Sequence, residues 1–519
     1  MKKFNRRKFI RNSAAYSFLG YAVESYVRSL ISPASINSYA GGEDILDKYY
    51  VGINFHGGPA RWMFDLPLYK NSTEYSSFSS TTPNPMVITG WETNNTGSGG
   101  GLEGKYELID MLGMKVPPIW TGKSSLLDNT IFVRGLKNLS IHPAWESQFM
   151  PRLGSLSIPG IISNYASSTV PCINFGVPSI PLGNSSGNNA HIVEYNGAWS
   201  EINATKSRVI PKELILPFKQ ITSVPFSENS DQMKDIRKAL KKIAISNNFN
   251  NKALYQSQGE AKDAMLGGLE YIVENFVTAF EEYQNAHRDA MNTIITGLDD
   301  RPLKSNSSAV DKALFSEYIN SDFTDIIKCI RKGNSTATNN QLCAGLALAE
   351  TLINSQVKIS RSFVLNGGTL FLASEAGLLD HDGHGMGAAP SCLFYSKFFQ
   401  GVINSLDLFK SRIGNSNFSN TLIHLSSEFN RSARFSGDGS DHGGDGSNTT
   451  IITGITPGKK ILGEVDYSKE NDHESYRGIW GQSSNEFSSE MVSNLIEYIL
   501  GVPSGKMTFK SDDQLTKLL

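Results

Sequence analysis

The chain lacks several features that would place it in a familiar class. It has only four cysteines in 519 residues, and its formal net charge at pH 7 is −2 with 19% charged residues. So few cysteines exclude a scaffold built on disulfides. So balanced a charge gives no basis for binding nucleic acid or an anionic membrane surface. The sequence also contains no P-loop and no C-x-x-C pair, which excludes a Walker-type nucleotide site and a thioredoxin-like redox site.

The first residues predict export. Arg6 and Arg7 are followed by Lys8-Phe9-Ile10, a pattern typical of a twin-arginine signal. The apolar run from Ala14 to Val23 suits such a signal and is too short to span a bilayer, which takes about 20 residues. An uncleaved anchor or a basic helix are the alternatives. We therefore expect a signal segment over 1–40, a periplasmic or secreted protein that meets the twin-arginine translocon during export, and no stable membrane span.

Strand-like runs and helix-spaced patterns alternate along the remaining chain. The predicted strands are Tyr49–Phe55, Asn129–Val133, Val357–Leu365, Thr421–Leu425 and Thr449–Ile452. The predicted helices are a patch near Leu102–Leu112, Leu342–Ile353, Ser396–Ile413 and Met491–Leu500. This alternation predicts an α/β fold with a mostly parallel sheet covered on both faces. We expect one domain over 41–508, with a helical insertion around 230–297.

The segment Leu378–Gly387 is the first candidate metal site. Asp380, His381, Asp382 and His384 follow one another closely, and glycines on either side of His384 let alternate side chains converge. Carboxylate oxygen and imidazole nitrogen together favour Zn, Mn, Fe or Mg over a thiolate site. A solvated loop of aspartates and histidines is the alternative.

A second candidate follows the predicted strand that ends at Leu425. Glu428 lies just beyond it, where ligands of a parallel sheet bind, and a glycine-rich loop with Arg431 and Asp441-His442 comes next. Arg431 or the neighbouring Arg434 could orient the carboxylates or hold an anionic substrate, while a structural ion pair between Glu428 and Arg431 is the alternative. The aspartates of this loop also resemble a calcium-type oxygen loop without the EF-hand spacing.

Other residues leave two interpretations open. The turn His56-Gly57-Gly58 either presents amides to an anion or is a tight turn after the first strand. His142 is a further candidate for the site, whereas His424 lies inside a predicted strand and is expected in the core. Cys329 and Cys343 flank a polar loop and either pair in an oxidising compartment or are small buried residues.

Taken in order, these motifs resemble a known family. The twin-arginine start, F-x-G-G-P at 55–59, D-x-H at 382–384, E-F-x-R at 428–431 and the Asp441-His442 loop are similar to the bacterial exported family catalogued as domain of unknown function 1501. That family is similar to the alkaline phosphatase and sulfatase superfamily. The resemblance implies a three-layer α/β sandwich with a mostly parallel central sheet, and its strongest matches lie in 340–465.

The resemblance also implies one or two divalent ions, with Zn, Mg, Mn or Ca as the candidates. Asp382 and His384 would bind one ion, Glu428 would bind the second, and His442 would return to the first. Asp380 and Asp441 would substitute for these ligands or support them by hydrogen bonds.

Two positions depart from the superfamily. His56-Gly57-Gly58 stands where a metal-binding aspartate would follow the first strand, and Asp65 comes later. Arg134-Gly135 stands where the exported family commonly has Arg-Ser, which leaves Ser140 as the candidate nucleophile. A metal-activated water could attack an ester directly instead.

Two functions therefore remain open. The first is a hydrolase of small phosphate or sulfate esters in which Arg431 or Arg434 stabilises developing charge. The second is a non-catalytic module on the same fold that binds a ligand or an envelope partner, because a fold does not fix a function.

Overall fold

The structure is a computed structural model. It describes residues 47–55, 57–66, 109–136, 157–165, 172–175, 192–195, 275–276, 278–293, 338–355, 360–368, 370–371, 378–379, 381, 388–433, 440–443, 447–470, 473–479, 489–503 and 507. The predicted signal segment over 1–40 and most of the predicted insertion over 230–297 lie outside these residues. A helix over 278–292 covers the C-terminal part of that insertion.

Strands and helices alternate along the described residues. The strands are β1 (Tyr49–Phe55), β2 (Ile109–Met111), β3 (Met114–Val116), β4 (Thr130–Leu136), β5 (Cys172–Phe175), β6 (Ile192–Tyr195), β7 (Ser362–Asn366), β8 (Leu370–Phe371), β9 (Leu378–Leu379), β10 (Thr421–Ser427), β11 (Asn430–Ala433), β12 (Ser440–Gly443), β13 (Ser447–Thr453), β14 (Lys460–Leu462), β15 (Glu464–Glu470) and β16 (His473–Ile479). The helices are α1 (Ser124–Leu127), α2 (Ile158–Tyr165), α3 (278–292), α4 (Asn340–Asn354), α5 (Ala388–Phe418) and α6 (Ser489–Leu500), with 3₁₀ turns at Arg61–Met63 and Pro118–Trp120.

Eight strands form one sheet in the order β14-β4-β13-β10-β1-β7-β5-β6. All neighbouring strands are parallel except β13, which runs antiparallel to both β10 and β4. Phe55 of β1 lies opposite Ser427 of β10, and Asn54 lies opposite Asn366 of β7. The ends of β1, β7 and β10 therefore meet at one edge of the sheet, which we call the carboxyl edge.

Helices cover both faces of this sheet, as the sequence predicted for an α/β fold. Val51 and Ile53 of β1 enter a core that also contains Leu346 of α4 and Phe398 of α5. Tyr50, which points to the opposite face, enters a second core with residues of α2 and α6 such as Leu495. Side chains of a strand alternate between faces, so a fully buried β1 requires cover on both sides.

The predicted strands and helices agree with the structure at most positions. Helix α5 begins at Ala388, before the predicted Ser396, and its helical geometry is broken at Gly414 (φ 74°, ψ 161°), next to the predicted end at Ile413. The helical patch near Leu102–Leu112 is wrong where the structure describes it. Ile109–Met111 is a strand that pairs with Met114–Val116, because Leu112 and Gly113 take positive φ values of 55° and 78° and turn the chain back. Among the helices that the structure describes, none combines the length and apolarity that crossing a membrane requires.

Candidate functional site

The turn that follows β1 is held by two side chains that follow β10. Glu428 accepts a hydrogen bond through Oε2 from the backbone N–H of Gly57 at 2.8 Å. The Arg431 guanidinium donates to the carbonyl oxygens of Gly58 at 2.8 Å and of Gly57 at 3.0 Å. Both side chains are buried, and hydrogen bonds to charged groups are stronger than neutral ones. The H-G-G-P and E-F-x-R motifs therefore form one structural unit, which we call the glycine clamp (57–58 with 428–431).

The ring of Phe429 fills the space beside this turn. Gly57 and Gly58 have φ values of 82° and 60°, which favour glycine. A Cβ on Gly58 would lie 2.2 Å from Cε2 of Phe429. The same ring stacks on the imidazole of His442, with 4.0 Å between centroids. Of the two interpretations of this turn, the structure favours the tight turn, since the Gly57 amide already binds Glu428.

A hairpin brings the two halves of the second candidate segment together. Arg431 in β11 lies opposite His442 in β12, and Ser432 lies opposite Asp441. The prediction of a glycine-rich loop at these residues is wrong, because they form an antiparallel strand pair. The indole Nε1 of Trp62 donates to the carbonyl oxygen of Arg431 at 3.1 Å. The hairpin is thereby tied to the 3₁₀ turn that follows β1.

A buried ion pair lies beside the clamp. Arg61 donates through Nε to Oδ1 of Asp65 at 2.9 Å and contacts Oδ2 through Nη2. Asn448 and Thr450 of β13 donate to the same carboxylate at 2.6 Å and 2.5 Å. Arg61 and Asp65 have exposed fractions of 0% and 1%, so the pair is out of water and depends on these bonds.

The pair also connects neighbouring strands. The Nη1 of Arg61 donates to Oγ of Ser427 at 2.8 Å, and Nε of Arg134 donates to the carbonyl oxygen of Asp65 at 2.9 Å. The sequence predicted no role for Arg61. Asp65 was noted only as an aspartate that comes after the position expected for a metal ligand. An arginine and an aspartate four positions apart, directly after a buried strand, are the signal that could have revealed them.

The loop that follows β7 joins the same edge. Gly367 donates to the carbonyl oxygen of Asn54 at 2.6 Å, and Nδ2 of Asn339, just before α4, donates to the carbonyl oxygen of Gly367 at 2.6 Å. The Nε2 of His381 donates to the carbonyl oxygen of Gly368 at 2.6 Å. His381 also packs on Phe398 of α5, with 4.6 Å between ring centroids. His381 thus lies near the carboxyl edge.

The structure describes only some of the predicted site residues. Glu428 and Arg431 both hold the turn at Gly57, His442 lies opposite Arg431, and the backbone of Asp441 lies in the same hairpin. The remaining candidates lie outside the described residues: His56, Asp380, Asp382, His384, Ser140, His142 and Arg434. Across the parts of the chain that the structure describes, no three side chains of His, Cys, Asp or Glu are grouped as a metal site would require.

His424 belongs to the core, as predicted. Thr449 Oγ1 donates to the carbonyl oxygen of Leu425 at 2.7 Å, so it accepts from Nε2 of His424 at 2.8 Å, while the Tyr50 hydroxyl donates to Nδ1 at 2.9 Å. Burial, reinforced by the positive charge of Arg61, lowers the pKa of His424 from 6.5 to about 3. The imidazole is therefore neutral and structural at physiological pH.

The state of Cys343 decides whether it pairs with Cys329 or is a small buried residue. It is buried in α4 as a free thiol, so the pairing with Cys329 is not formed, and Cys329 itself lies outside the described residues. Cys172 is also a buried free thiol, and burial raises its pKa to about 12. Neither cysteine has the lowered pKa that reactive thiols need, and both serve as small core residues.

Comparison with known proteins adds no identification. No family model matches the chain, and neither a curated protein nor a solved structure matches it.

Proposed function

We propose that the chain is an exported, metal-dependent hydrolase of phosphate or sulfate esters with an alkaline-phosphatase-like fold. The mostly parallel sheet and its helical cover support the fold. The observation that carries the function is that Glu428 and Arg431 both hold the turn after β1 at the carboxyl edge, and that His442 lies opposite Arg431 in the hairpin. Ligands of open α/β sheets bind beyond this edge. Export through the twin-arginine route to the periplasm is part of the proposal and rests on the N-terminal sequence.

Two of the described residues at this edge have side chains of the kinds that bind divalent ions. Glu428 offers a carboxylate, and His442, which lies opposite Arg431 in the hairpin, offers an imidazole; both are ligands that Zn and Mn accept. The hydrogen bond from Gly57 to Oε2 of Glu428 fixes the carboxylate's orientation, as supporting hydrogen bonds do in metal sites. A bound ion would lower the pKa of a coordinated water and neutralise ester oxygens.

The remaining residues have separate roles in this proposal. Asp382 and His384 complete the ligand set, with Asp380 and Asp441 as substitutes or supports. Arg431 is a positioning residue, because two of its N–H groups hold the carbonyl oxygens of Gly57 and Gly58. Ser140 is the candidate nucleophile, and attack by a metal-activated water is the alternative.

A second function is a non-catalytic binding or envelope-assembly module on the same fold. One observation favours it: the described charged groups at the edge already have structural partners. Glu428 and Arg431 hold the glycine turn, and Arg61 and Asp65 hold each other. A fold that keeps its loops in place by such bonds can serve binding alone.

The first experiment measures metal content and turnover. Protein purified from the periplasm is analysed for bound metal and assayed with an aryl phosphate and an aryl sulfate, with and without a chelator. Bound metal with turnover that the chelator abolishes supports the hydrolase. Absence of both supports the module.

We predict that Glu428→Gln lowers metal affinity at least about tenfold, because a neutral amide is a weaker ligand than a carboxylate. The matched control is Glu350→Gln, which changes a buried carboxylate of α4 that binds Tyr283 and Arg412 away from the clamp. Equilibrium dialysis with Zn²⁺ measures the affinity of both variants. Equal affinity of Glu428→Gln and wild type would remove Glu428 from the site.

A further inference from the structure

One face of α3 is buried, and a histidine lies in the middle of it. Phe280, Tyr283 and Met291 on this face belong to the core that α4 and α5 also enter. His287 continues the same spacing of three and four positions, which places side chains on one side of a helix, and it is fully buried. It therefore occupies a position that is typical of an apolar side chain.

The imidazole of His287 lies against a glycine of α5. A Cβ on Gly401 would lie 2.4 Å from both Cε1 and Nδ1 of His287, so the ring occupies the space that a side chain at position 401 would need. The ring of Phe398 meets it edge-on, with 6.1 Å between centroids. Neither ring nitrogen has a hydrogen-bond partner within the parts of the chain that the structure describes. The ring is therefore held by packing.

Polar bonds on both sides of His287 hold α3 in place. The hydroxyl of Tyr283 donates to Oε2 of Glu350 in α4 at 2.7 Å. Towards the other end of α3, Nζ of Lys397 in α5 donates to the carbonyl oxygen of Met291 at 3.2 Å. The imidazole thus lies between two attachment points of one helix.

The charged groups of the three helices give a protonated His287 no carboxylate partner. They are Lys397 and Arg412 of α5, Glu350 of α4, and Glu282, Arg288 and Asp289 of α3. Both glutamates contact Arg412. Burial without a carboxylate partner lowers the pKa of His287 from 6.5 to about 3.

We infer that acid controls the docking of α3, which leaves α4 and α5 when His287 takes up a proton while the sheet stays folded. This inference goes beyond the proposed function and does not depend on it. Once α3 is undocked, water reaches the imidazole, and the pKa of an exposed histidine is near 6.5. Below this pH the undocked form binds a proton that the docked form does not bind. Docking is therefore unaffected above about pH 6.5 and weakens as the pH falls, by up to about tenfold per pH unit.

A buried thiol of α4 reports whether α3 is docked. Asn340 and Glu350 bond to α3, and Cys343 follows Asn340 by three positions and precedes Glu350 by seven, spacings that put all three on one side of α4. Burial raises the pKa of Cys343, and the positive charge of Arg288 in α3 opposes this rise, which places α3 beside the thiol. Cys172 is the matched control, because it is a buried free thiol in the core on the opposite face of the sheet.

The test measures how fast these two thiols react as the pH is lowered. The full-length protein is treated with dithiodipyridine, which labels thiols at acid pH, and the labelled cysteines are quantified by mass spectrometry. Each rate is divided by the rate of the same thiol in urea-unfolded protein at the same pH. We expect the corrected rate of Cys343 to rise by up to about tenfold per pH unit below pH 6, while Cys172 stays protected.

Two variants separate proton uptake from docking itself. His287→Leu has no proton to take up, so the corrected rate of Cys343 should stay constant between pH 6 and 4.5. Gly401→Ala places a Cβ against the ring and should speed the labelling of Cys343 at pH 7.5 by at least about fivefold, through overpacking, since alanine itself favours the α5 helix.

Four results would overturn the inference. They are acceleration of Cys343 and Cys172 together, protection of wild-type Cys343 at acid pH, an unchanged acceleration in His287→Leu, and wild-type labelling in Gly401→Ala. Should His287→Leu not fold, the wild-type profile and the response of Gly401→Ala decide.

Discussion

Position 58 fits only glycine, because the ring of Phe429 fills the place where a Cβ would lie. The approach is only 2.2 Å to Cε2, so another residue would have to move either the ring or the turn. The ring in turn stacks on His442. The backbone conformation at Gly58 therefore influences the position of His442, a candidate ligand, through the ring of Phe429 and without any bond between Gly58 and His442.

We predict that Gly58→Ala lowers the free energy of unfolding by roughly 2–5 kcal/mol. About 1–2 kcal/mol comes from a non-glycine residue at positive φ, and about 1–3 kcal/mol comes from the overpacking against Phe429. Urea unfolding followed by circular dichroism measures the change.

The matched control for this prediction is Gly113→Ala. Gly113 also has a positive φ, 78°, but no atom lies within 4 Å of the place that a Cβ would occupy there. Gly113→Ala should therefore lower the free energy of unfolding by only about 1–2 kcal/mol, which is the cost of a non-glycine residue at positive φ. Equal losses in the two variants would show that the Phe429 contact has no energetic role.

Among the elements, α4 depends on a single residue at its start. Asn339 accepts from the backbone N–H of Leu342 at 3.1 Å, which caps the helix, and donates to the buried carbonyl of Gly367 at 2.6 Å. One side chain thus fixes the helix start and the loop after β7. Because this loop accepts from His381 through Gly368, Asn339 also supports the position of His381 at the edge.

We predict that Asn339→Ala lowers the free energy of unfolding by roughly 1.5–5 kcal/mol. Loss of the cap costs about 0.5–2 kcal/mol, and the carbonyl of Gly367 left without its donor costs about 1–3 kcal/mol. Asn129→Ala is the control, since Asn129 makes one exposed bond, to Ser125, and should lose less than about 0.5 kcal/mol. Similar losses in both variants, measured by urea unfolding, would contradict the double role of Asn339.

The sequence predicted elements better than it predicted the contacts between them. Tyr49–Phe55 is apolar apart from Asn54 and is followed by a glycine turn, so its assignment as a buried strand needed only local information. The position of Glu428 after the next strand followed from the same reasoning. The short strands of the hairpin were missed because glycine and aspartate are rare in strands.

The contacts of the clamp could not be predicted, because the residues that form it are far apart in sequence. Gly57 and Glu428 are separated by 371 positions, and no periodic pattern records which loop meets which. The same holds for Arg61 and Thr450. Their pairing depends on the strand order of the sheet, which places β1 beside β10 and β10 beside β13.

At the scale of the whole molecule, two buried histidines among the described residues contribute to the response of stability to acid. Burial lowers the pKa of His287 and of His424 to about 3, while an unfolded chain has a histidine pKa near 6.5. Between these values the unfolded chain binds protons that the folded chain does not bind. Stability is therefore unaffected by these groups above about pH 6.5 and falls as the pH is lowered toward 3.

We predict that His287→Leu makes this acid loss shallower by about 1.4 kcal/mol per pH unit between pH 4 and 6, the slope of one proton. His287 suits the test because, among the described residues, no hydrogen-bond partner of either ring nitrogen is found. Urea unfolding at several pH values measures the slope. Between pH 7.5 and 8.5 the slopes of variant and wild type should coincide. Parallel curves at acid pH would show that His287 is already protonated in the folded protein.

The strand order has a consequence for how the polypeptide matures. β1 is made early, yet both strands that flank it, β7 and β10, are made only after residue 361. β4 likewise cannot pair with β13 until residues 447–453 have been synthesised. A ribosome must therefore finish most of the chain before the centre of the sheet can close, and the early strands need protection from aggregation until then. The export proposed above, through a translocon that carries folded cargo, would follow this late closure.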